Sequence, residues 1–436
     1  MPSAFSKFQE SEIVLLKDLV TEEYGQAISS KTDCDKLVEL IEARTSKVIS
    51  ANTLRRFFEV MPNEGRPSLS TLDILAQFCG FTDFFEVQKS HRQKRNNERE
   101  LSLGSVNDLY QAFGDTPQFY QTLSWLVQLA FRDKNINFLK DFFGLEVFSE
   151  KFDYTQGLHK EVLMTLGCEL QSNPKQFDIL IEHYAINPLA QSLYFECFVD
   201  YDFLPIRHHK AIQLYSQNKT TKEAQLFSLC MLFLHSFLLK DRTACSDLIK
   251  RINRIELSND LHPFPVGRRM ACNILFQAFY LGGVKDDLIR EIFDYEKQLP
   301  RDGSLGKNLP CYHVLVSEAF CWAGYYYESL SIIRRALDSY KVDLNYHTQG
   351  LLSSLWITYA DSLLKSGRKQ DGQTIFNRIE VSHFDVHNKN FSLMHYYNLN
   401  AELQKDNNPK VAASLKRSSL EIASNYKFKF FETLYS

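Results

Sequence analysis

The densest run of side chains able to recognise a partner by hydrogen bonding is Ser50-Ala51-Asn52-Thr53-Leu54-Arg55-Arg56-Phe57-Phe58-Glu59. At helical spacing Leu54, Phe57, Phe58 and Met61 share one face, while Asn52, Arg55, Arg56 and Glu59 share the opposite one. Arginine can donate two hydrogen bonds to a guanine edge, and asparagine can exchange two with adenine. Ser50 as N-cap, with Thr53 beside it, sets hydroxyls at a helix start, where exposed amides suit phosphate contact. The pattern predicts a helix with an apolar back and a front able to read duplex DNA through Ser50, Asn52, Thr53, Arg55 and Arg56. The solvated face of a small protein-binding domain fits the same residues.

Other constellations point to less. His208-His209 are adjacent, and adjacent residues on a helix do not point the same way, so a solvated basic turn is expected rather than a metal pair. Gly303-Ser-Leu-Gly-Lys307 lacks the hydroxyl residue and the preceding strand of a phosphate loop. Nine cysteines sit singly with no CxxC pair, mostly in apolar stretches where they act as small hydrophobes. No HExxH, GxSxG or paired-carboxylate arrangement stands at convincing spacing. The expectation is a protein that binds without catalysing, with no metal and no cofactor.

The elements that position these residues are helices. Glycine (17) and proline (12) are scarce in 436 residues, which favours long helices with short connections over sheets rich in turns. That length exceeds one hydrophobic core and asks for several domains or a repeat array. Phenylalanine (34) and tyrosine (21) are spread along the chain, as bulky filler for many helix seams. A net charge of −3 argues against a surface that grips nucleic acid everywhere, yet leaves room for a local basic face. The first residues lack a basic start followed by an apolar run, and the longest apolar stretch, Ala224 to Leu239, is too short and polar to span a bilayer. A reducing, cytoplasmic setting without a membrane partner is expected.

The polar, basic-rich stretch Gln88 to Glu100 has no apolar stripe to bury, and it divides the chain into an amino-terminal helical domain (1–87), a charged linker (88–104) and a large helical domain (105–436). In the first, Thr32 with Asp35 is an approximate capping box, Cys34, Leu37, Val38 and Ile41 form a buried stripe, and Ser50 opens a helix to Glu59. Pro67-Ser68 starts the next helix, and Gly80 ends it. In the large domain helices come in pairs, beginning near Pro117 and Lys134, Thr155 and Pro174, Pro188 and Pro205, and Thr221 and Asp241. They continue near Pro265 and Lys285, Leu309 and Tyr326, Tyr346 and Lys369, and Asn390 and Pro409. A spacing of roughly 33 to 45 residues suits helical hairpins stacked into a superhelix.

Two pairs set small side chains opposite bulky ones where helices must approach: Ser317, Ser329 and Ala336 with Gly324 at the turn between Phe320 and Tyr326, and, at similar offsets, Trp356, Ala360, Gly367, Gly372 and Phe376. This pattern resembles the tetratricopeptide repeat. The residues from Thr32 to Val87 resemble the Cro- and λ-repressor-type helix-turn-helix family, with Leu37 to Arg44 as positioning helix and Ser50 to Glu59 as recognition helix. Two connections, Thr45 to Ile49 and Met61 to Arg66, are longer than that family's, and the module is nearly charge-balanced.

Together the two likenesses resemble bacterial peptide-sensing transcription regulators. The resemblance implies an all-α fold, a small helix-turn-helix-like domain before a tetratricopeptide-like α-solenoid. It also implies contact with double-stranded DNA, a homodimer, and a peptide or protein ligand in the concave groove, meeting Tyr346, His347, Tyr359, His395, Tyr397 and Asn398. A scaffold binding proteins through both domains is the alternative.

Overall fold

The computed structural model describes residues 10–62, 67–89, 101–148, 157–196, 198–257, 261–299, 311–339 and 346–436, and among them every regular element is a helix. The chain forms two compact units, 1–100 and 101–436.

The first unit packs α1 (Glu10–Tyr24), α2 (Lys31–Thr45), α3 (Ala51–Phe57), α4 (Leu69–Phe78) and α5 (84–89). Its core takes Leu16 and Val20 from α1, Cys34, Leu37 and Ile41 from α2, Leu54 and Phe57 from α3, and Leu72 and Leu75 from α4. The cap of α2 lies earlier than the sequence pattern places it. Ser30, not Thr32, accepts from the Asp33 amide, and Asp33 accepts the Ser30 amide in return at 2.9 Å. With the box closed by Ser30 and Asp33, Asp35 is left free to face α3. Ser50 caps α3 as expected, accepting from the Thr53 amide at 3.1 Å. The helix stops at Phe57, however, because Glu59 turns left-handed (φ +60°). Glu59 and Met61 therefore leave the faces that the pattern assigned them. Gly80 adopts φ +86°, the left-handed end for which glycine has no Cβ penalty. Asn63 to Arg66, part of one stretched connection, lie outside the described residues, as does most of the charged stretch after Lys89.

The second unit runs α6 (Leu103–Phe113), α7 (Pro117–Arg132), α8 (Ile136–Asp141), α9 (Gly157–Ser172), α10 (Pro174–Ile186) and a one-turn α11 (Pro188–Ala190). It continues through α12 (His209–Asn218), α13 (Lys222–Leu238), α14 (Arg242–Asn253), α15 (Pro263–Tyr280), α16 (Asp286–Gln298), α17 (Cys311–Trp322) and α18 (Tyr326–Ser339). It ends with α19 (Tyr346–Lys365), α20 (Lys369–Phe376), α21 (Lys389–Gln404), α22 (Pro409–Asn425) and α23 (Lys429–Leu434). From α13 onward each first helix packs on the next, α13 on α15, α15 on α17, α17 on α19 and α19 on α21, with α14, α18, α20 and α22 as second members of the hairpins.

The small residues act as predicted. A Cβ on Gly372 would stand 3.0 Å from the Ala360 carbonyl oxygen, so any larger residue there would push α20 away from α19 by a few tenths of an ångström. Ser329 donates to the Ser317 carbonyl at 2.9 Å, and Ser362 donates to Ser329 at 2.9 Å, linking three helices through side chains that are otherwise small enough to bury. Gly324 and Gly367 close their hairpins at φ +83° and +86°.

The third pair departs from expectation. Rather than two helices from Pro188 and Pro205, α11 breaks into a π-helical turn (Gln191–Glu196), and a second π-helical turn (Leu204–His208) leads into α12. Gln191 is drawn back by donating to the Ala185 carbonyl at 2.7 Å, and Asn187 holds the amides of Leu189 and Ala190. His208 is fully buried here rather than solvated, and burial pushes its imidazole down to about 3. The Gly303 to Lys307 run lies outside the described residues.

Between these turns Asp202 reaches a distant helix. Its carboxylate accepts from the Asn390 amide at 3.0 Å, the Asn390 side chain at 2.9 Å and the Phe391 amide at 2.7 Å, so it satisfies the open amino end of α21. The short α23 works alongside: Phe430 stacks near Phe237 of α13 and Phe279 of α15, and Phe431 meets Trp322 of α17 and His395 of α21. The first-helix layer is thus covered over part of its length by the chain's own aromatic residues.

Candidate functional site

The α3 face assembles its polar residues, but they bond mainly to each other. Arg55 extends across to α2, where Asp35 accepts from its guanidinium at 2.7 and 3.0 Å, and Arg55 also donates to Asn52 Oδ1 at 2.9 Å. The two residues best suited to reading base edges therefore satisfy one another. Arg56 stands exposed, and Ser50 and Thr53 share a hydroxyl contact of 2.7 Å at the cap. From Thr32 to Val87 six basic residues face nine acidic ones, a balance that lowers phosphate attraction below the near-neutrality first read. The Arg55–Asp35 pair is half open to solvent on the Asp35 side, and such pairs hold within about 1 kcal/mol.

The six positions expected to meet a peptide divide. His395 and Asn398 line a cleft among α17, α19, α21 and Tyr435. Tyr359 instead sits in the seam with Trp356 and the Val314–Leu355 cluster, and Tyr397 rests half-buried beside Tyr396. The side chains of Tyr346 and His347, at the start of α19, lie outside the described residues.

The cleft is built as follows. Glu318 and Cys321 come from α17, Ser354 and Asp361 from α19, and Ser392, His395 and Asn398 from α21, with Trp322 and Tyr435 as aromatic walls. It encloses about 390 Å³ with its open mouth included, of which only about 20 Å³ admits the centre of a water molecule. Burial raises the Glu318 carboxyl to about 7, against a Ser354 hydrogen bond and the Arg268 charge, which favour its ionised form. Burial likewise raises Asp361, whose Oδ2 accepts from the Cys321 thiol at 3.4 Å while its Oδ1 has no partner. His395 is only 8% exposed. Its Nδ1 lies 2.5 Å from the Tyr435 hydroxyl, its Nε2 is unpartnered, and burial holds it neutral with a value of about 3. Its ring stacks on Trp322 with centroids 5.4 Å apart and an interplanar angle of 7°. Lys416 donates to Asn398 Oδ1 at 3.2 Å and lies over the Tyr435 ring.

Of the residues lining this cleft, the sequence pattern singles out His395 and Asn398 but not Glu318, Asp361 or Tyr435. A signal was present: the small-then-acidic dipeptides Ser317-Glu318 and Ala360-Asp361 recur one hairpin apart, each setting a carboxylate in an otherwise apolar first helix. Nothing local marks Tyr435, since its place depends on α23 folding back onto the layer.

Among the described residues no group of three or more histidine, cysteine or acidic side chains converges as a metal site, and no helix is long and apolar enough to cross a membrane. Comparison with protein-family models, with curated proteins and with solved structures finds no match for this chain.

Proposed function

We propose that this chain is a binding protein without catalytic function, a transcription regulator whose tetratricopeptide-like repeat unit takes up a peptide or protein and whose amino-terminal unit contacts duplex DNA. The observation carrying the binding half is the cleft, where one carboxylate oxygen of Asp361 and Nε2 of His395 are buried without partners. Burying polar groups unpaired costs about 1–3 kcal/mol each, an expense a stable fold avoids unless a partner completes them. For the DNA half the support is the Ser50-capped α3 behind α2, with Arg56 outward and Arg55 held by Asp35 and Asn52 near the surface, partners that a guanine edge can replace. Dimerisation, which doubles phosphate and base contacts, belongs to the same proposal.

A second reading has its own observation. The acid excess of the first unit and the Arg55–Asp35–Asn52 closure fit an adaptor that binds proteins through both units. Titrating the full chain with mixed-sequence duplex DNA over a range of salt separates the two. The regulator shows affinity falling steeply with salt and weakened by Arg56→Ala with Arg55→Ala; the adaptor shows no salt-dependent association.

A further inference from the structure

We infer that the cleft among α17, α19 and α21 is a receptor for a primary ammonium group, held by Asp361 and Glu318 against the aromatic wall of Trp322, His395 and Tyr435. This deepens the ligand-binding half of the proposed function and rests on it. Three independent features converge. Two carboxylates stand in one cleft, and Asp361 Oδ1 accepts from nothing. His395, more than nine-tenths buried, lines the same cleft with Nε2 unpartnered. Trp322 and the neutral imidazole, stacked on each other, and Tyr435, whose ring also lies under Lys416, line the cleft with π surface, which attracts a cation most when it is desolvated.

The charges already nearby leave this role open. Lys365 acts on Asp361 from the rim but is exposed and lies 3.8 Å from Glu402. Arg268 acts on Glu318 from a distance, with its guanidinium on Tyr201 at 3.0 Å and over the Phe264 ring at 4.4 Å. Lys416 is engaged with Asn398. Size selects among cations. The free space suits one group the size of a water molecule, so a compact ammonium fits where the planar guanidinium does not. A bare metal ion lacks converging ligands, whereas an ammonium needs only separate acceptors for its three N–H bonds. For Nε2 to accept one of them, Nδ1 carries the ring proton and donates to the Tyr435 oxygen.

The same chemistry can arrive as a lysine side chain of a peptide or as a free alkylamine, and calorimetric titration of the full chain distinguishes them. The probes are N-acetyl-lysine methylamide, n-butylamine, N-acetyl-arginine methylamide and the uncharged N-acetyl-norleucine methylamide. The expected result is saturable millimolar binding of the first two and at least about tenfold weaker binding of the others. Lysine methylamide binding more tightly than butylamine identifies a peptide source; the reverse order identifies a free amine. Asp361→Asn should weaken binding about tenfold and Glu318→Gln severalfold. Both substitutions neutralise a buried acid and should leave the fold at least as stable. Equal binding of norleucine and lysine derivatives, unchanged affinity in both variants, or no amine binding at tens of millimolar overturns the inference. Duplex binding by the same protein is unaffected by any of these outcomes, so the two readings fail separately.

Discussion

The α3 face and the α17–α19–α21 cleft both gather polar groups, yet they treat them in opposite ways. On α3 the charges lie near the surface and close on one another: Arg55 donates to both Asp35 and Asn52, with its Nε left without a partner. In the cleft Asp361 and His395 each keep one atom unsatisfied at depth. Water screens the first set, so its members add little to stability and can exchange partners cheaply. It cannot reach the second as freely, so the unmet groups hold a standing cost. The amino-terminal residues that look most chemical in the sequence thus bond largely to one another, while Asp361, an acid within a first helix, keeps one oxygen without a partner.

Four measurements break or sharpen that contrast. The largest effect belongs to the aromatic wall. Phe431→Ala removes a fully buried ring touching Trp322 and His395 and should cost about 3–5 kcal/mol in urea unfolding. A loss below about 1 kcal/mol would show that α23 does not hold the cleft in place.

Next comes acid. His208 and His395 fall to about 3 and His387 to about 4 through burial, so the folded chain takes up protons less readily than the unfolded one. Their contribution is complete above the unfolded value near 6.5 and is lost as pH falls toward 3–4. The slope is about 1.4 kcal/mol per pH unit per histidine. His208→Leu should flatten the pH dependence of the unfolding midpoint between 6.5 and 4, and an unchanged slope would place the titration elsewhere.

The cleft acids act in the reverse sense. Glu318 is raised, so its contribution is complete below about 4.5 and is lost as pH rises through about 7. Glu318→Gln should match the parent at pH 4 and exceed it by about 1–3 kcal/mol at pH 8. A variant weaker at both pH values would mean the carboxylate is already well paired. The smallest effect is on α3, where Arg55→Ala should cost under about 1 kcal/mol. A larger loss would turn the surface pair into a structural strut and remove it from any recognition role.

The same division explains what the residues disclosed in advance. Helix starts at Pro117, Pro174, Tyr326, Lys369 and Pro409 coincide with the pattern, because proline, capping residues and apolar periodicity are local signals. The starts of α2 and α15 shift by one or two residues, since Ser30 outcompetes Thr32 and Pro263 precedes Pro265. The π-helical turns around Gln191 and Leu204 were illegible because their causes, such as Gln191 bonding back to Ala185, are tertiary choices the spacing does not encode. His208 shows the same limit: beside His209 and Lys210 it reads as solvated, but its ring is placed against Tyr194 by the turn and not by its neighbours in sequence. In the cleft, the placement of His395 and Asn398 is legible from first-helix position, whereas Glu318 and Asp361 are legible only as acids within largely apolar stretches.

The reach of Asp202 to the amides of Asn390 and Phe391, 188 and 189 positions away, has a consequence for how the molecule comes apart. A row of stacked hairpins joined only to its neighbours can fray from either end, one unit at a time. A clasp between the third pair of the row and its eighth couples everything in between, so unzipping from the far end must first release the carboxylate. Denaturation of this stretch should therefore be sharp rather than graded. Folding must wait for a long loop to close, and deleting a single internal hairpin should cost far more than that hairpin's own contacts.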